Sequence, residues 1–104
     1  MSMVTDVILI TMCGEGEEGL GLSQLQEWLK ANESGQILNQ VDQYAKQKKG
    51  IQCDIYIGGF NHFDIDGFVK KLNDCEFKFP ECVQLFIKEE DYDQFEIWNI
   101  EVEL

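Results

Sequence analysis

The chain has no arginine: all eight of its basic residues are lysines, set against twenty acids for a formal charge of −12. That balance argues against nucleic acid, where cations neutralise phosphates and arginine reads base edges. It also disfavours anionic membranes and phosphorylated substrates. Histidine occurs once, at His62, which excludes a metal centre built on several imidazoles. There is no CxxC pair among Cys13, Cys53, Cys75 and Cys82, and no repeat, low-complexity tract or linker. The longest apolar run, Val7 to Ile10, is far too short to cross a bilayer. The N-terminus lacks a basic segment followed by a long apolar one, so no signal peptide is expected. The expected compartment is the cytoplasm, with the cysteines reduced and packed as small hydrophobes. Only the short Cys75–Cys82 loop suggests a bridge.

What is present is enough apolar bulk for one core. Hydrophobic residues make up 44% of the 104 residues, with seven Phe, three Tyr and two Trp. One domain over residues 1–104 is the natural partition. "VTDVILITM" reads as a buried strand. "SQLQEWLKANE" reads as a helix with Ser23 as N-cap, Gln26 three residues on, and Leu25, Trp28 and Leu29 on one face. Over Gln36–Gly50 the stripe Ile37, Leu38, Val41, Tyr44 and Ala45 predicts a second helix, with an edge strand over Gln36–Ala45 as the competing reading. "IQCDIYI" alternates as a half-buried strand, with Ile51, Cys53, Ile55 and Ile57 facing inward. A third helix follows from Asp64 to Cys75. "VQLFIKE" and "QFEIWNIEV" then make two strands joined by an acidic turn. The order β-α-α-β-α-β-β predicts an α+β domain. Its four-stranded, mostly antiparallel sheet would carry two or three helices on one face.

Three stretches are candidates for function. "GEGEEG", Gly14 to Gly19, matches GxGxxG in form, but Glu15, Glu17 and Glu18 would repel a pyrophosphate. It reads as a mobile acidic loop. "GGFNHFDIDGF", Gly58 to Phe68, contains His62, Asp64 and Asp66, a set that could ligate a metal or serve hydrolysis. The calcium-loop pattern fails there, because Phe68 and Cys75 fall on ligand positions. A structural reading accounts for more residues. Gly58 and Gly59 end the strand, Asp64 caps the helix, Phe63 and Phe68 form a hydrophobic staple, and Asp66 sits in the first turn. Phe60, Asn61 and His62 are left over as an exposed tip that could touch a partner.

The third stretch is the acidic end. Residues 51–104 carry thirteen acids and four lysines, against seven acids and four lysines in residues 1–50. Glu89, Glu90, Asp91 and Asp93 are interleaved with Tyr92 and Trp98. Aromatics supply buried contact and carboxylates steer a cationic partner. Consecutive acids in a turn are otherwise simply solvated. The leading expectation is a non-enzymatic interaction domain for a basic protein, in the form of an inhibitor or immunity protein of a nuclease-type toxin. No cofactor is expected. The alternatives are a metal-binding or hydrolytic protein centred on His62, Asp64 and Asp66, and a domain that self-associates through its last strand.

Overall fold

The computed structural model describes residues 4–41 and 53–100. The elements run β1 (Val4–Met12), α1 (Glu15–Glu18), α2 (Gly21–Asn32), β2 (Asn39–Val41), β3 (Cys53–Asn61), α3 (Ile65–Asp74), a 3-10 turn (Pro80–Cys82), β4 (Gln84–Glu89) and β5 (Glu96–Asn99). The strands form one sheet in the order β2-β3-β1-β4-β5, and every neighbouring pair is antiparallel. The sheet therefore has five strands, not four. β1 and β2 run parallel with β3 between them, joined through α2. β3 and β4 run parallel with β1 between them, joined through α3. These are two interlocked split β-α-β units, the ferredoxin-like connectivity, with β5 appended at one edge.

The extra strand arises where a second helix was expected. Asn39–Val41 pairs with Ile55–Ile57. The Gln26 side chain fixes the approach: its amide donates to the Leu38 carbonyl at 2.8 Å and accepts the Leu38 N–H at 2.9 Å. Those two bonds satisfy Leu38 as a strand neighbour would, and hold the chain at the edge of β3. The stretch from Asp42 to Gly50, with Tyr44 and Ala45, lies outside the described residues.

α2 also begins earlier than expected. Leu20 occupies its N-cap without a side-chain bond, and Ser23 is an exposed residue of the helix. Leu25 and Leu29 are fully buried, and Trp28 is half-buried, as the periodicity predicts. α3 matches its expected chemistry closely. The Asp64 carboxylate accepts the Gly67 N–H at 3.0 Å. Phe63 and Phe68 meet with ring centroids 5.0 Å apart. Phe68 and Leu72 face the core, with Ile65, Val69 and Cys75 half-buried beside them.

The helices cover one face of the sheet. Val7, Leu9, Tyr56, Phe60, Leu85 and Ile87 point into that layer and pack with Leu25, Leu29, Phe68 and Leu72. In β3 the alternation holds but its sense is reversed relative to expectation. Tyr56 is buried opposite Leu9, while Ile55 and Ile57 lie opposite Ile10 and Ile8 on the other face. Gly58 and Gly59 do not end the strand; they continue it. At Gly58 a Cβ would meet the Phe60 ring at 2.9 Å and Leu38 at 3.1 Å, so glycine here makes room for core packing.

Candidate interaction surface

The tip at the end of β3 is smaller than the sequence implies. Phe60 is 1% exposed and stacks on Phe63 at 4.8 Å, so it belongs to the core and not to an exposed tip. Asn61, opposite Val4 at the end of the β1–β3 ladder, and His62 are exposed. His62 has φ 52, a left-handed conformation that turns the chain from strand to helix.

His62 is far from every thiol that could serve as its nucleophilic mate. Cys53 lies at the other end of β3, about 30 Å away for a nine-residue strand. Cys13 follows Met12, which pairs with Cys53 at that same far end. Cys75 terminates α3, whose start adjoins His62, about 15 Å along a ten-residue helix. Cys82 precedes β4, whose Gln84 lies opposite Ile10, again distant from Asn61. Nor do His62, Asp64 and Asp66 converge: among the described residues no three His, Cys, Asp or Glu side chains come together to hold a metal ion. The Asp64 carboxylate is occupied in capping α3.

All four cysteines are free, so Cys75 and Cys82 are unbridged. Burial pushes the Cys75 thiol up to about 11, against the pull of Lys71 and with the push of Asp74. Burial, then the Asp54 carboxylate and Cys13, push Cys53 up as well. These shifts work against thiolate chemistry at either residue.

The Gly/Glu stretch is pinned where a mobile loop was expected. Glu15 is 0% exposed, and its carboxylate accepts the backbone N–H groups of Lys78 at 2.9 Å and Phe79 at 2.8 Å. One acid thus ties the start of α1 to the chain leading into β4. On the same side the Gly14 N–H donates to Asp54 at 3.0 Å. A cleft of about 450 Å³ lies here, lined by Cys13, Glu17, Gln40, Asp54 and Tyr56 among others.

At the acidic end the residues separate into two groups. Glu90, Asp91, Tyr92 and Asp93 are exposed together in the turn between β4 and β5. Glu89 is half-buried, opposite Thr5 at the end of β4. Trp98 lies opposite Leu85 and packs against the core on the helix-covered side. Among the described residues the only ion pair is Lys30–Glu27, leaving the turn acids free of a fixed counter-charge.

The feature least visible in the sequence is the other face of the sheet. Outward positions of β1, β3, β4 and β5 carry Ile8, Ile10, Ile55, Ile57, Phe86 and Ile97. Among the described residues no helix covers them; Ile8, Ile10, Ile55 and Phe86 are half-buried. Ile57 is 44% exposed and Ile97 61%. Phe95 leans over this face from the acidic end. With Asp6, Ile8, Asn39, Ile57 and Gly59 it lines a groove of about 460 Å³. Gly59 contributes the hollow, since an added Cβ would find nothing closer than 3.9 Å. No protein-family model, curated protein or solved structure matches the chain. Among the described residues no helix is long and apolar enough to cross a membrane.

Proposed function

We propose that this chain is a small acidic interaction domain, not an enzyme, that binds a basic protein surface through its β4–β5 turn. An inhibitor or immunity protein of a nuclease-type toxin is its concrete form, with carboxylates standing where the partner would otherwise hold phosphates. The observation that carries the reading is the joint exposure of Glu90, Asp91, Tyr92 and Asp93 with no cation among the described residues paired to them. Such a turn steers a cationic partner at long range and offers one aromatic for contact. Asn61 and His62 are a second exposed contact point, carrying no acid, on the same domain.

The test is titration of a panel of small basic nuclease domains into the protein by calorimetry, at about 50 and about 300 mM salt. The expected result is one saturable complex. It weakens at the higher salt and loses association rate at least tenfold in the Glu90→Lys/Asp91→Lys double variant. Absence of saturable binding across the panel, or binding indifferent to that charge reversal, contradicts the proposal.

A further inference from the structure

We propose that the open sheet face is a homodimer interface, on which a second copy of this chain stacks sheet to sheet. This surface is separate from the acidic turn, and the inference does not depend on what the turn binds.

The first argument is composition. Ile8, Ile10, Ile55, Ile57, Phe86 and Ile97 form one contiguous apolar field on neighbouring strands, Ile57 and Ile97 exposed and the other four half-buried. Monomers rarely expose a continuous apolar patch above a few hundred Å². Five strands spaced about 4.8 Å apart and averaging about six residues span roughly 500 Å² in projection. That is on the order of the ~800 Å² of accessible surface that each partner gives to a standard interface. Stacked sheets pack about 10 Å apart through such side chains.

Charge decides which partner fits. A chain of formal charge −12 repels its own copy. Two copies can meet only through a surface cleared of acids. Over the described residues the open face is such a surface: at its outward strand positions the charged residues are Asp6 and Lys88, one of each sign, directly opposite each other across β1 and β4. A cationic protein would find nothing there to attract it, whereas a neutral face lets two acidic molecules associate with their charge kept at the periphery.

Shape fits the same partner. A two-fold interface must be self-complementary, with each protrusion meeting a hollow on the other copy. Ile97 protrudes at the β5 edge, and the groove over Gly59, walled by Ile57 and Phe95, is a hollow on the same face.

Sedimentation equilibrium from about 1 µM to about 1 mM tests this on the full chain. The wild-type mass is expected to rise from one chain towards two. Ile57→Lys, and independently Ile97→Lys, should stay at one chain throughout. Both positions are exposed in the single chain, and unchanged near-UV circular dichroism confirms that the variants fold. Glu90→Lys/Asp91→Lys should dimerise at least as well as wild type. A wild-type chain that stays monomeric to 1 mM overturns the proposal. A dimer indifferent to both face substitutions also overturns it and assigns self-association to a sheet edge. Neither result bears on the acidic turn, whose own test uses a basic partner.

Discussion

The two faces of the sheet are built from the same residue types and treated in opposite ways. On one, Val7, Leu9, Tyr56, Leu85 and Ile87 disappear beneath α2 and α3. On the other, Ile8, Ile10, Ile55, Ile57 and Phe86 alternate with them along the same strands and meet no helix among the described residues. Apolar character alone therefore does not say which side of a strand is the core. In this fold the helices decide that.

The largest effect separating the faces should come from truncation. Leu9→Ala removes a fully buried side chain and should cost about 3 kcal/mol of unfolding free energy. Ile57→Ala, on the neighbouring strand but outward, should cost under about 1 kcal/mol in dilute solution. Urea denaturation of both at low micromolar concentration checks this; equal losses would mean the open face is covered within one chain.

The next effect concerns how the covered layer is closed at one end. Glu15→Gln keeps the volume but leaves an amide facing one of two backbone donors, Lys78 or Phe79. The expected loss is about 1–3 kcal/mol, read in the same denaturation experiment. A change within about 0.5 kcal/mol would show that this acid does not anchor the chain.

A smaller effect lies where α2 meets the start of α3. Burial raises the Glu33 carboxyl above its ordinary 4.5, opposed by the Asp64 backbone N–H and assisted by the Asp64 charge. The fold thus favours the protonated form. This contribution is fully present below the ordinary value and lost as pH rises through the raised one. Glu33→Gln should therefore raise the melting temperature at about pH 7 and give no gain below about pH 4. Thermal melts at the two pH values check the sign; a gain confined to acid would contradict it.

What could be read in the sequence was what neighbouring residues decide. β1 spans the nine residues its β-branched run indicates. The Asp64 cap and the Phe63–Phe68 staple are contacts within a few positions, visible as spacing. What could not be read depends on distant partners. Glu15 finds its donors 63 and 64 residues away, and nothing in "GEGEEG" points to them. β3 is apolar on both sides, so its alternation fixes two faces without saying which is inward; a shift of one residue exchanges them. Reading Gly58–Gly59 as a turn misplaced Phe60 on an exposed tip, when glycine there serves a close approach inside a continuous strand. β2 is only three residues long and is held by a side chain of α2, which no local pattern encodes.

The most direct measurement of the contrast between the faces is hydroxyl-radical footprinting at about 1 µM and about 1 mM protein, read by mass spectrometry. Oxidation of Ile8, Ile57, Phe86 and Ile97 should fall several-fold at the higher concentration. Tyr92 in the acidic turn should react equally at both, and Leu9 and Phe68 should stay protected throughout. Unchanged oxidation of the open-face residues across that range would contradict the account.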